Sequence, residues 1–299
     1  MDPTMTLSAL LLACSAACVH AGAPSTPVDS SSPVTWTQKQ KPFRIYGNTY
    51  YVGSRGLSAI LITSPQGYVL IDGTLPENAA MIESNVRALG FRVQDIKLIL
   101  NTHTHHDHAG AIAAIAHDSG AQVAANAISA KALEHGGDDP DDPQRGMGKT
   151  YPKVEHVRIV TEGETLHVGP LALQMHAMPG HMPGGTGWTW RSCEHGRCLS
   201  IVYADSITLL SNHDYRYTDP AHPERIAGYR HTLAILSTLP CDILLIPHPP
   251  QDFFQRVAHI TPGKSNPLVD PQACKAYAQE GQSNLQERLR LEAKTQAAH

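Results

Sequence analysis

Residues 103–108 read His-Thr-His-His-Asp-His, so five side chains able to ligate a metal fall within six positions. The apolar run Ile96-Lys97-Leu98-Ile99-Leu100 precedes them, and Ala109-Gly110-Ala111-Ile112 follows. A borderline-soft cation such as Zn²⁺ takes imidazole nitrogen and carboxylate oxygen together, and a loop between strand and helix can turn several such groups toward one point. On an extended segment His103 and His105 point the same way, while a turn at Asp107-His108 directs those two toward a second centre. His106 then faces away from His105 and joins neither centre. The chemistry this spacing suggests is metal-assisted catalysis.

Three further segments carry candidate ligands or neighbours of ligands: Pro179-Gly180-His181, Ala204-Asp205-Ser206 and Pro247-His248-Pro249-Pro250. Each follows a strand-like run, and groups at the carboxyl ends of strands converge along a sheet edge. Gly180 would let the backbone approach a neighbour closely. Five histidines and one aspartate (His103, His105, His108, His181, His248 and Asp107) are enough for two Zn²⁺ ions with positions left for water, which such ions activate near neutral pH. Other hydrolase and nucleotide-binding signatures are missing. The chain has no Gly-x-Ser-x-Gly elbow and no Walker A run, and Gly180-x-x-x-Gly184-Gly185 does not follow a dinucleotide-binding pattern.

The elements needed to position these groups are legible as alternating patterns. Short strands are predicted over Phe43–Tyr46, Thr49–Val52, Ser58–Thr63 and Tyr68–Asp72, with a turn at Pro65-Gln66-Gly67. A helix over Pro76–Leu89, a strand over Asp95–Leu100, a helix over Ala109–His117, a strand over Gln122–Ala125 and a helix over Ala127–His135 follow. Gly136–Lys153 has no periodicity, and a loop of that length ordinarily serves a site or stays mobile. Strands are then expected over Val157–Val160, Thr165–Val168, Leu171–Met178, Thr186–Arg191, Ser200–Ala204 and Asp242–Ile246, with helices over Pro223–Leu239 and Pro271–Lys294. Two such halves suggest two sheets face to face with helices outside. Trp188 and Trp190 alternate on one strand and so share a face, which favours core packing over substrate stacking.

At 299 residues, 41% hydrophobic and 17% charged, the chain can bury a full core. Its net charge of −4 and lack of a dense Lys/Arg cluster argue against a nucleic-acid partner, and nothing implies a stable protein partner. Residues 7–19 form a short apolar segment ending near Val19-His20-Ala21, so 1–21 reads as a secretory signal. Leu12-Ala13-Cys14 weakly resembles a lipoprotein box, and lipidation at Cys14 would be the one route to a membrane. Residues 22–40, rich in Ser, Pro and Thr, read as a flexible leader to a single domain over 41–299. Beyond the signal four cysteines remain, which allow three pairings. Cys193 and Cys198 flank a hairpin-like turn, and Cys241–Cys274 would pin the last helix to a strand start. No Cys-x-x-Cys spacing supports a thiolate metal site, and disulfides fit an exported, periplasmic protein.

The run His103-x-His105-x-Asp107-His108, with His181 and His248, resembles the metallo-β-lactamase superfamily. A finer resemblance is to its B3 subclass, carried by Ile45-Tyr-Gly-Asn-Thr-Tyr-Tyr-Val-Gly53, Val69-Leu-Ile-Asp-Gly73, the stretch from Pro179 to Trp190, Tyr203-Ala-Asp-Ser206 and Cys241-Asp-Ile-Leu244. That resemblance implies a four-layer αβ/βα sandwich of the α+β class. It implies a first zinc on His103, His105 and His181 and a second on Asp107, His108 and His248. Ser206 and Thr208 would lie near the substrate carboxylate, and Asp72 would support the metal loop. The implied activity is opening of the β-lactam amide of penicillins, cephalosporins and carbapenems by a zinc-held hydroxide, and so antibiotic resistance. Met182 departs from the threonine common after this histidine, and is expected to alter contacts around the ligand without losing metal. Asp205 matters for the alternative: in glyoxalase II-like relatives an aspartate in this neighbourhood bridges two metals, which leaves open an exported lactone or thioester hydrolase. Zinc storage is the non-enzymatic reading.

Overall fold

The computed structural model describes residue 1 and residues 33–297. Beyond its first residue, the expected signal at 1–21, with Cys14, lies outside the described residues, as does the leader at 22–32. The rest of the leader corrects the sequence reading. Val34–Thr37 form a helical turn, α1. Asn78 donates to the Trp36 carbonyl at 2.9 Å, Asn85 to that of Gln40 at 3.2 Å, and the Arg55 N–H to that of Gln38 at 2.9 Å. These partners are distant in sequence, so the local composition of the segment gives no sign of them.

The first sheet runs in chain order: β1 (Phe43–Tyr46), β2 (Thr49–Tyr51), β3 (Ile60–Ser64), β4 (Gly67–Ile71), β5 (Ile96–Leu100), β6 (Gln122–Ala125) and β7 (Arg158–Ile159). Pairing is antiparallel from β1 to β4 and parallel from β4 to β7. The parallel steps need crossovers, supplied by α2 (Ala79–Ala88), then α3 (His106–Ala109) with α4 (Ile112–Ser119), then α5 (Ala127–Glu134). The second sheet has the order β12-β11-β10-β9-β8, with β8 (Thr165–Val168), β9 (Leu171–Ala177), β10 (Thr186–Glu194), β11 (Arg197–Tyr203) and β12 (Ile243–Leu245). The helices α6 (Glu224–Thr238), α7 (Phe253–Ala258) and α8 (Ala273–Ala297) complete the chain.

Strand alternation assigns each side chain to a layer. Ile60, Ile62, Leu98 and Leu100 meet Trp188, Trp190, Ile201 and Tyr203 between the sheets. Leu61 and Ile99 point the other way, onto Ile82, Val86, Ile112 and Ile115 of α2 and α4. Val202 faces outward from the second sheet toward Leu233, Leu236, Cys274 and Leu285 of α6 and α8. Helices therefore cover both outer faces, which is the expected four-layer sandwich. Trp188 and Trp190 lie in the central layer, where their indole N–H groups donate to the Asn101 carbonyl and the Thr49 hydroxyl at 2.9 and 3.0 Å.

Two elements depart locally from expectation. The helix expected over Ala109–His117 forms as α4, which starts at Ile112 after the separate turn α3; at the break Thr74 donates its N–H to the His108 carbonyl at 3.0 Å, and its carbonyl accepts that of Ala111 at 3.3 Å. The hairpin β10–β11 runs further than expected, pairing Cys193 with Cys198 and Glu194 with Arg197 around a two-residue turn at His195 and Gly196, both at positive φ. Both disulfides, Cys193–Cys198 and Cys241–Cys274, are formed as expected. The helix α7 has no counterpart in the sequence reading. Among the described residues no helix is long and apolar enough to cross a membrane.

Candidate active site

The candidate ligands sit beyond the carboxyl ends of strands, on loops and one short helical turn that meet at one edge of the sandwich. His103 and His105 follow β5, His181 follows β9, and His248 follows β12. Asp107 and His108 occupy α3, whose N-terminus is preceded by His105. The turn is clamped from β4: the His108 carbonyl accepts the N–H groups of Gly73 and Thr74 at 2.7 and 3.0 Å. At Gly180, with φ +145°, a Cβ would stand 2.2 Å from the Tyr229 ring, so only glycine lets the His181 loop settle onto α6.

Two groups of donor atoms result. His103, His105 and His181 form one, and Asp107, His108 and His248 the other; in each, the candidate ligand atoms lie within 4.8 Å of one another. His181 Nε2 stands 3.2 Å from His105 Nδ1, and His108 Nε2 stands 3.1 Å from His248 Nε2 and 3.1 Å from Asp107 Oδ2. His103 Nε2 is fully buried without a hydrogen-bond partner. Imidazole nitrogens facing one another with a buried orphan among them are what a cation would satisfy, so the donor set fits a metal at each group. His106 lines the same cleft but belongs to neither group, as expected.

The electrostatics agree. Burial, reinforced by the neighbouring imidazoles, holds His103 well below the usual histidine range, and burial chiefly brings His181 down to about 3. Both are therefore neutral near pH 7, the form that can ligate. Burial disfavours the charged form of Asp107, but His108 and His248 outweigh it and keep the carboxyl ionised. His248 is the most open ligand, its side chain 43% exposed, and Trp36 of α1 covers it with ring centroids 5.5 Å apart.

Each ligand that has a second ring nitrogen in contact has a defined partner for it. His103 Nδ1 lies 2.7 Å from Asp205 Oδ1, and His181 Nδ1 lies 2.9 Å from both the hydroxyl and the carbonyl oxygen of Thr208. His105 Nε2 lies 3.1 Å from Asp142 Oδ1. Such partners fix the tautomer that leaves the other nitrogen free for metal. Asp142 escapes sequence reasoning. It lies 37 residues from His105, in the unpatterned Gly136–Lys153 segment, and only that segment's length hinted at a role.

The cleft over both groups has a volume of ≈ 640 Å³ and is lined by Trp36, Gln144, Arg145, Met147, Lys149, Thr208 and Leu210 besides the ligands. Thr208 is thus part of the cleft wall. Ser206 is 6% exposed and is not among the lining residues; its N–H donates to Asp205 Oδ1 at 2.8 Å. Met182 is buried, and its carbonyl accepts the N–H groups of Gly180 and Gly185 at 3.1 Å each.

Asp72 lies behind the metal loop at the end of β4. Its carboxylate accepts the Thr102 N–H at 2.7 Å, the Thr102 hydroxyl at 2.9 Å and the Tyr203 hydroxyl at 2.8 Å. Burial pushes its pKa up to about 6, against the opposing pull of His108 and these hydrogen bonds. An alanine here strips the Thr102 N–H of its partner and leaves the Thr102 and Tyr203 hydroxyls only long contacts of 3.4 Å, to His103 Nδ1 and the Ser58 carbonyl, at about 1–3 kcal/mol for each donor. Asp72→Ala is expected to destabilise the fold by at least about 3 kcal/mol, read as a lowered urea midpoint. Asp72→Asn, which tolerates the φ of +64° and keeps an acceptor, should lose less. Equal midpoints for alanine and wild type would contradict this support role.

A model described as the metallo-β-lactamase superfamily matches residues 53–199. Among solved structures, Rm3 metallo-β-lactamase is 48% identical with a TM-score of 0.83, covering 87% of this chain and 97% of its own. MEM-A1, a subclass B3 metallo-β-lactamase from a soil metagenome library, is 43% identical with a TM-score of 0.84, over 87% and 99% of the two chains. BJP-1, a subclass B3 enzyme of Bradyrhizobium japonicum, is 33% identical with a TM-score of 0.80, over 89% and 99%. A curated relative, a hydroxyacylglutathione hydrolase of Anaeromyxobacter dehalogenans, is 36% identical over 102 residues, which span 34% of this chain and only 30% of that enzyme. On likenesses of this extent over most of both chains, the chain belongs to the metallo-β-lactamase superfamily, within its B3 subclass.

Proposed function

We propose that the protein is an exported dinuclear zinc hydrolase that opens the β-lactam amide of penicillins, cephalosporins and carbapenems, and so confers resistance to them. The observation that carries this reading against a thioesterase is the orientation of Asp205. Its carboxylate is fully buried, with Oδ1 on His103 Nδ1, the nitrogen opposite the one that faces the cluster. It therefore supports a ligand from behind and does not stand between the two groups. The likeness to B3 enzymes over nearly the whole chain, against a match to 30% of the glutathione hydrolase, supports the same choice.

When bound, zinc supplies an activated water and Lewis-acid stabilisation of the charge that develops on the carbonyl oxygen and the leaving nitrogen. The chain supplies everything that places the substrate over it. His103, His105 and His181 would hold one ion and Asp107, His108 and His248 the other. Thr208, at the cleft wall, offers a hydroxyl to the carboxylate next to the lactam nitrogen, and Arg145 and Lys149 line the same cleft with positive charge. Trp36, Met147 and Leu210 give the rim an apolar surface for the variable side chains. Export to the periplasm is supported by the apolar segment at 7–19 and by two disulfides, which persist in oxidising compartments.

The test is a hydrolysis panel on the zinc-loaded protein. Turnover of imipenem, ampicillin and nitrocefin should exceed that of a homoserine lactone or S-lactoylglutathione, and a chelator should abolish it. Two bound zincs without lactam turnover, or a preference for the thioester, would reject the proposal.

A further inference from the structure

We propose that Asp142 is a positioning residue for the first metal: its carboxylate accepts the Nε2–H of His105 and so presents Nδ1 to the ion. This rests on the reading of His103, His105 and His181 as a zinc site. The long segment 136–153 then acts as more than a rim. It carries an anion that is part of the metal centre's own support.

The geometry is specific. His105 Nδ1 faces His181 Nε2, so the metal side of the ring is settled, and the remaining nitrogen, Nε2, lies 3.1 Å from Asp142 Oδ1. Both side chains are largely withdrawn from water, at 13% and 9% exposure, where a charge-assisted hydrogen bond is strengthened. Asp142 is itself held. Its Oδ1 also accepts the Gln144 N–H at 2.7 Å, and its N–H donates to the Asp139 carbonyl at 3.2 Å. The segment around it is tied on both sides of the cleft. The Tyr151 hydroxyl donates to the Thr104 carbonyl at 2.8 Å, and the Asn212 N–H donates to that of Pro143 at 2.6 Å. Tyr151 is 7% exposed, so the first tie is a buried anchor next to His103 and His105.

The three ligands of this group thus have three different partners, two from the segment that follows β11 and one from the segment 136–153. Asp205 follows β11 and serves His103; Thr208 lies beyond it and serves His181; Asp142 serves His105. Outer partners of metal-bound histidines commonly change metal affinity 10- to 100-fold when removed. While Thr208 lines the substrate cleft from the other segment, Asp142 lies on the segment that contributes most to it, through Gln144, Arg145, Met147 and Lys149. Changes in that segment are therefore expected to reach zinc retention as well as substrate contact.

The experiment compares wild type, Asp142→Asn and Asp142→Ala in the full chain. Zinc affinity is measured by competition with a chromophoric chelator, the cobalt-substituted protein is followed by its visible absorption, and the metal-free melting temperature reports the fold. Asparagine keeps an acceptor for the Gln144 N–H, so it preserves the turn while removing the charge. Alanine is expected to weaken the first zinc about 10- to 100-fold and asparagine by a smaller factor of at least about threefold, with the second zinc little changed. The cobalt bands of the first site should shift in both variants. Should alanine fail to fold, asparagine alone decides. Either variant binding the first zinc within twofold of wild type overturns the proposal, as does equal weakening at both sites. Turnover plays no part in this readout. A wild type that binds two zincs but opens no lactam rejects the proposed activity and leaves this test intact, whereas a wild type that binds none refutes the metal site and this inference with it.

Discussion

Replacing His181 with alanine is expected to lower kcat/KM toward a carbapenem on the order of 10³-fold, about 4 kcal/mol of transition-state stabilisation, while the fold survives. The fold should survive because the loop is held by other groups. Tyr217 donates its hydroxyl to the Gly180 carbonyl at 3.0 Å, and Thr232 donates to that of Pro179 at 2.7 Å. The imidazole itself contributes one nitrogen to the donor group and the other to Thr208. With it gone, two histidines from a single loop remain for the first metal, and the tie across to the second sheet is lost. Circular dichroism and zinc counting should report a native fold with the first site depleted. A variant retaining more than a tenth of wild-type turnover would show that this metal group is not where the lactam is opened. Loss of turnover with the fold intact would also count against a storage role, for which catalysis has no place.

The metal groups were legible in the sequence because their chemistry is local. His103 and His105 alternate on an extended segment, Asp107 and His108 follow on a turn, and each remaining ligand comes directly after an apolar strand. The same alternation put Trp188 and Trp190 in the central layer. What stayed hidden depends on contacts between distant segments. Trp36 sits in a stretch whose Ser, Pro and Thr content reads as unstructured, yet Asn78, Asn85 and Arg55 hold its backbone against the domain. Asp142 lies within Asp138-Asp139-Pro140-Asp141-Asp142, where an acidic run ordinarily means a solvated loop; only the fold brings one of its carboxylates to His105. Asp205 was visible as a residue but not as a role. Its sequence position suits a bridging ligand or a supporting one, and the direction of its side chain decides between them. The break between α3 and α4 likewise lies at backbone hydrogen bonds with Thr74, which no periodicity records.

Removing Cys241–Cys274 is expected to cost more stability than removing Cys193–Cys198. A cross-link acts largely by restricting the unfolded chain, more so as the closed loop lengthens, and the two loops span 33 and 5 residues. The chain-entropy relation gives about 3–4 kcal/mol for the longer and about 2 kcal/mol for the shorter. In a domain of this size these amount to melting shifts of about 6–16 °C and about 4–8 °C. The native state adds to the asymmetry. Cys193–Cys198 closes a hairpin already paired from Trp188 with Tyr203 to Glu194 with Arg197. Cys241–Cys274 joins the start of β12 to α8, and α8 in turn holds the site from behind: Tyr277 donates to the Asp205 carbonyl at 3.1 Å, and Asn284 to that of Ile207 at 3.2 Å. Because β12 leads directly into His248, serine at 241 and 274 should also weaken zinc at the Asp107–His108–His248 group before the other. Differential scanning calorimetry of the two double variants, with zinc titration of each, reads both effects. Equal melting shifts for the two pairs, or peptide mapping that joins either hairpin cysteine to Cys241 or Cys274, would overturn this account of what the long bridge does.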